Sequence, residues 1–178
     1  MKRLTLLRHA KSGEDGALTR DFDRRLNPKG RRAARAIGRF LRAEGLGFDA
    51  AIASPARRVA ETVEEVGAGY GAGLSPRWER RIYLASAPDL LDLVHEAPAA
   101  AERLLLVGHN PGLEELVLTL VPDGAGRLRD AVEAKYPTAS IAEMTFEGDW
   151  AEAAAGKAKL ARFVRPRDID PTLGPDES

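Results

Sequence analysis

Short apolar runs bounded by turn residues alternate with amphipathic stretches of helical period along most of this chain. The first run is Leu4-Thr5-Leu6-Leu7. Asn27-Pro28 then reads as an N-cap and first helical residue, and Ala33, Ala34, Ile37, Phe40 and Leu41 form an apolar stripe that stops at Gly45. Residues 50–53 predict a second buried strand. Ser54-Pro55 begins a helix with Val59, Val63 and Val66 on one face, followed by a glycine-studded loop over residues 67–73. Ser86 or Ala87 with Pro88 opens a third helix that Pro98 closes, and residues 104–107 read as a strand. Asn110-Pro111 caps a fourth helix that runs through Leu120 and ends at Pro122. Further strands are expected near residues 140–146 and 159–164, at the sheet edge. Strand-helix alternation of this kind predicts an α/β domain of three layers, α/β/α, with crossovers that demand a largely parallel central sheet.

Composition narrows the picture. At 178 residues and 44% hydrophobic, the chain suffices for one domain with a full core and is short for two. The expected domain is 1–166. Residues 167–178 contain an acidic, proline-broken stretch from Asp168 and are expected to be poorly ordered. Lys+Arg and Asp+Glu balance at 27 each, so no global field draws the protein to nucleic acid or to a membrane surface. There is no cysteine, which excludes disulfides, a thiolate nucleophile and Cys-ligated zinc. The basic start is too short for a signal peptide and no stretch has the apolar length of a membrane span, so the expected location is cytoplasmic.

The candidate chemistry sits where the strands end. Arg8-His9 follows the first apolar run, and His109 follows Leu104-Leu105-Leu106-Val107-Gly108. In an open α/β sheet the ligand crevice lies past the carboxyl ends of the strands, so both imidazoles should enter one crevice. Either histidine alone is more often a hydrogen-bonded structural group. Two in equivalent positions, one beside an arginine, point to a site. His95 reads as a helix-surface residue near a C-terminus and is given no role. A second basic signal, Ser54-Pro55-Ala56-Arg57-Arg58, stands at a helix start straight after a strand, where backbone N–H groups and guanidinium forks favour anions. Adjacent helical residues diverge by about 100°, so only one of the two arginines should face the crevice. No His or carboxylate stands at a ligand spacing from His9 or His109, so no metal and no cofactor is expected.

Leu7-Arg8-His9, Ser54-Pro55-x-x-Arg58 and Val107-Gly108-His109-Asn110-Pro111 together resemble the histidine phosphatase superfamily. The string from Asp21 to Gly30 is similar to its small phosphohistidine phosphatase branch, the SixA-like proteins. The resemblance covers roughly residues 3–146 and implies a phosphoglycerate-mutase-like fold, with His9, Arg8, Arg58 and His109 as the catalytic set. It adds Arg24 as a further phosphate contact, the alternative being a surface arginine in a charged loop. Ser54 and Asn110 are placed with Arg24 as substrate-binding positions, Asn110 also reading as a helix cap. The family's Arg-His-Gly is Arg8-His9-Ala10 here, which is tolerated unless a positive φ is required. No residue matches the general acid of the superfamily; Asp21, Glu79 and Asp89 are the candidates. In the expected mechanism a neutral His9 attacks phosphorus while Arg8, Arg58 and a protonated His109 neutralise the phosphoryl group without a metal. Three functions stay open: a phosphatase for phosphohistidine on a histidine phosphotransfer or phosphocarrier protein, a small-molecule phosphomonoesterase or mutase-like phosphotransferase, and a non-catalytic phosphate-binding domain. An acid-poor site and the short connection from Val66 to Leu104, hardly a lid, favour the first.

Overall fold

A computed structural model describes residues 1–13, 16 and 18–174. Its centre is a six-stranded sheet in the order β3-β2-β4-β1-β5-β6. The strands are β1 (Lys2–Arg8), β2 (Ala50–Ala53), β3 (Arg77–Trp78), β4 (Arg103–Gly108), β5 (Ile141–Phe146) and β6 (Lys159–Val164). The first four run parallel. β5 pairs with β1 antiparallel and β6 with β5 antiparallel, so the sheet is mixed at one side only.

Alternate residues of β1 and β4 supply the two cores, as a strand buried on both faces requires. Leu4, Leu6, Leu104 and Leu106 pack with α3 (Ala87–His95), α4 (Gly112–Leu120) and α5 (Arg127–Ala134). Leu7, Leu105 and Val107 pack on the opposite face with α1 (Pro28–Ala43) and α2 (Arg57–Tyr70). The α/β/α layering and the predicted strands are therefore present, β3 being a two-residue addition.

Three local expectations are corrected. Residues 67–70 are the last turn of α2 rather than loop, and the helix ends at Gly71 in the left-handed conformation. The glycines there serve close packing: a Cβ on Gly69 would collide with the backbone carbonyl of Arg35 on α1. α4 begins at Gly112, after a cis Asn110-Pro111 peptide, with the Asn110 carboxamide oxygen accepting from the Glu114 N–H at 3.2 Å. The C-terminal segment, expected to be poorly ordered, folds back through α6 (Pro166–Ile169) and a 3-10 turn that buries Leu173 beside α1. An Arg165–Asp168 pair at 2.9 Å fixes that turn, while residues 175–178 lie outside those described.

The chain leaves β1 toward β2 along one face, through α1, and returns from β3 to β4 along the other, through α3. The change of direction falls between the neighbours β1 and β4, where such sheets form their crevice.

Candidate active site

Parallel register sets Arg8 beside Gly108, so the next residue of each strand is a histidine at the same sheet edge. His9 N–H donates to the Gly108 carbonyl at 3.0 Å, and the two imidazole centroids lie 5.3 Å apart. Both rings are buried. His9 Nδ1 lies 2.7 Å from the Ala10 carbonyl, which fixes the proton on Nδ1 and leaves the Nε2 lone pair to accept from Arg58 Nε at 3.4 Å. Burial, reinforced by His109, Arg58 and Arg8, lowers the His9 pKa to about 3, so the ring is neutral near pH 7.

Arg58 is the hub. It sits in the first turn of α2, buried, while Arg57 faces solvent and pairs with Glu61 at 3.2 Å, the divergence that helix geometry requires. Its guanidinium reaches His109 Nδ1 at 3.3 Å, the Asp21 carbonyl at 2.7 Å and the Asp21 carboxylate at 3.0 Å. A guanidinium only donates, so His109 Nδ1 accepts and its proton lies on Nε2, directed to Ser54 Oγ at 2.8 Å. Burial and then Arg58 bring the His109 pKa down to about 4. The expectation of a protonated His109 is thus corrected for the anion-free protein: a buried ring between two guanidiniums does not hold a third positive charge.

The other named residues divide sharply. Arg8 Nη1 donates to the Tyr136 carbonyl at 2.9 Å, while its buried Nε has no hydrogen-bond partner. Arg24 lies 3.5 Å from the Asp21 carboxylate and lines the same cleft, about 490 Å³, as Arg8, His9 and Arg58. Ser54 is fully buried and touches His109, so it orients that ring instead of meeting a ligand. Asn110 is engaged through its amide with the Tyr136 carbonyl at 3.0 Å and through its oxygen with the α4 backbone, which makes it a strut between loops. Ala10 has no positive φ, so the glycine of the family pattern is not needed there.

Of the acid candidates, Glu79 is removed by its partners. Arg77 and Arg81 hold its carboxylate at 2.7 and 2.9 Å, and hydrogen bonding to Arg81 brings its pKa to about 2. Asp89 is exposed in the first turn of α3. Asp21 is at the site, but its carboxylate accepts from Tyr83 Oη at 2.6 Å and from Arg58, and both bonds hold it below the usual carboxylate range. Tyr83 escaped the sequence reading, since its irregular segment carries no periodic signal. Its ring packs edge-on against His109 with centroids 5.4 Å apart. Thr62 was missed too: its hydroxyl accepts from the Ala10 N–H and donates to the Arg58 carbonyl, coupling the His9 loop to α2. His95 bonds the Ala153 carbonyl at 2.7 Å, far from the cleft, as a structural group. Among the described residues no three His, Asp or Glu side chains cluster as a metal-binding set.

Comparison with known proteins places these features. The model of the histidine phosphatase superfamily (branch 1) matches residues 4–82, which include Arg8, His9 and Arg58. An uncharacterized protein of Mycobacterium tuberculosis is 31% identical over 163 residues, spanning 90% of this chain and all of the relative. Two solved structures assigned as the phosphohistidine phosphatase SixA share the fold. The protein from Nakamurella multipartitia has a TM-score of 0.81 at 29% identity over 93% of this chain and 96% of its own. That from Agrobacterium tumefaciens has 0.79 at 26%, over 93% and 98%. With the family's motifs standing at adjacent strand tips and the fold shared over nearly the whole length, this chain belongs to the histidine phosphatase superfamily.

Proposed function

We propose that this protein is a metal-independent phosphohistidine phosphatase acting on a phosphorylated protein. The observation that carries the reading is the ionisation of the two acid candidates nearest the strand tips. Asp21 is held as a carboxylate by Tyr83 and then Arg58, and Glu79 by Arg81 and Arg77, so neither is a ready proton donor. Expelling an alkoxide needs such a donor. A phosphorylated imidazole needs no enzyme acid: its other ring nitrogen, with an ordinary pKa of about 6.5, takes a proton from solvent near neutral pH, and the ring departs as neutral imidazole.

In this reading His9 Nε2 attacks phosphorus in line, the P–N bond to the substrate imidazole breaks, and the departing ring takes its proton from solvent. Water then attacks the phosphorylated His9, releasing orthophosphate and returning the Nε2 lone pair. Arg8 and Arg58 neutralise the equatorial oxygens, and the buried Nε of Arg8 is a donor that an anion in the cleft would satisfy. A phosphoryl group with about two negative charges raises the His109 pKa on entry, so the third positive charge arrives with the substrate. Asp21 must release Arg58 for that contact to form.

The test is side-by-side kinetics on a histidine phosphotransfer domain charged with phosphoramidate and on glycerol phosphate. A kcat/KM at least about 100-fold higher for the phosphoprotein is expected, with acid-labile, base-stable label on residue 9 and no turnover by His9→Ala. A preference for the alkyl phosphate would promote the small-molecule reading, and absence of turnover on both would leave a binding domain.

A further inference from the structure

Four contacts occupy the Arg58 guanidinium in the resting site: His9 Nε2 at 3.4 Å, His109 Nδ1 at 3.3 Å, and the carbonyl and carboxylate oxygens of Asp21 at 2.7 and 3.0 Å. The Asp21 carboxylate reaches further than this one arginine. Its Oδ2 also accepts from the Tyr83 hydroxyl at 2.6 Å, and its Oδ1 lies 3.5 Å from Arg24 Nη1. One carboxylate therefore stands where two guanidiniums that line the cleft beside His9 converge. We propose that Asp21 is a resident anion of the site, which competes with the phosphoryl group for Arg58 and Arg24 and drives orthophosphate out after hydrolysis, with Tyr83 as the positioning residue that holds it there; the proposal deepens the phosphatase reading and rests on it for the identity of the displaced anion.

Burial makes a counter-ion necessary. The Arg58 side chain is 6% exposed, and a guanidinium so far out of water is strongly destabilising when left unpaired. His9 and His109 are neutral and bring no negative charge. Asp21 supplies it. Its own side chain is 46% exposed, so it turns outward into water at little cost when an anion of about two charges arrives.

The backbone allows that exchange without dismantling the site. Asp21 opens a 3-10 turn, Asp21–Asp23, and its carbonyl accepts from the Arg24 N–H at 3.2 Å and from Arg58 Nη1 at 2.7 Å. The main chain can thus stay on Arg58 while the carboxylate swings.

Tyr83 sets where the carboxylate returns. Its ring packs edge-on against Phe22 and His109, with centroids 5.1 and 5.4 Å away, so the hydroxyl is aimed from a fixed frame. A group tethered in this way competes at an effective concentration on the order of millimolar. Orthophosphate left among Arg8, Arg24 and Arg58 has to hold the site against it.

The probe is inorganic phosphate, titrated calorimetrically into the full chain and its Asp21→Asn and Tyr83→Phe variants, and used as a product inhibitor of p-nitrophenyl phosphate hydrolysis. Apparent affinity scales with the fraction of protein whose site is open, so a carboxylate seated for about nine-tenths of the time weakens phosphate binding about tenfold. Asp21→Asn should therefore bind phosphate at least about tenfold tighter, with the inhibition constant falling in step, and Tyr83→Phe should shift both in the same direction by less. The Asn variant should also melt below wild type in buffer alone and regain the difference as phosphate is added, which a merely structural role of Asp21 does not predict. Unchanged or weaker phosphate binding by a folded Asp21→Asn would overturn the resident anion and leave the phosphatase reading standing. Weaker binding by Tyr83→Phe would assign that hydroxyl to the phosphate and overturn its positioning role. Tighter binding by Asp21→Asn, with no turnover of phosphohistidine or phosphoester by wild type, would uphold the competition while the phosphatase reading fails. If Asp21→Asn does not fold, Tyr83→Phe, which keeps the ring packing, decides: phosphate affinity equal to that of wild type would overturn the proposal.

Discussion

His9 and His109 are neutral in the resting site because burial penalises their charged forms and two arginines add to the penalty. The unfolded chain pays no such penalty, so between about pH 4 and the ordinary imidazole value near 6.5 it binds more protons than the fold. Stability should therefore rise with pH across that window and be lost as the solution is acidified. Asp21 acts in the same direction: its lowered pKa stabilises the fold above the ordinary carboxylate value, and that contribution fades as pH falls further. Urea midpoints between pH 4 and 7 should show the slope, and His109→Gln should flatten it. The arginine pair gives a second residue-scale expectation. Arg58→Ala should lose about 3 kcal/mol of transition-state stabilisation, in the range of an oxyanion donor, while Arg57→Ala, which removes only an exposed pair with Glu61, should change kcat/KM little. Equal effects would mean that Arg58 is not the phosphoryl contact. The strand tips made His9, His109 and one arginine of this pair readable from the chain itself. The protonation state of His109 and the capture of Asp21 by Tyr83 were not readable, because both depend on neighbours that meet only in three dimensions.

Among the elements, α1, β2, α3, β4 and the last two strands follow from their apolar period and their caps. The last turn of α2 does not, since Gly67 and Gly69 are loop signals by propensity. Tertiary contact overrides them: α1 and α2 approach so closely at Gly69 that only a hydrogen fits against the Arg35 carbonyl. Gly69→Val should accordingly lower stability by about 1–3 kcal/mol despite its better helix propensity, read as a drop in urea midpoint with little change in slope. A neutral or stabilised variant would show that the helices can part without cost. The β3 strand was missed for a different reason, as two residues are too few to carry a period.

At the scale of the whole molecule the C-terminal segment is the main departure from the sequence reading. Its acidic, proline-rich composition argued for disorder, yet one apolar residue, Leu173, anchors it on α1. Leu173→Asp, which buries a carboxylate at an apolar contact, should release that anchor and lower stability by about 2–4 kcal/mol, read as a drop in urea midpoint; an unchanged midpoint would show that the turns alone hold the segment. The register of β1 has a different kind of consequence. The first strand of the chain pairs only with β4 and β5, beginning at residues 103 and 141. During vectorial synthesis His9 leaves the ribosome about a hundred residues before the strand that delivers His109, so the nascent chain carries the proposed nucleophile with no partner histidine. Such long-range pairing raises contact order and slows folding, and it makes the assembled site wait for synthesis to pass β5.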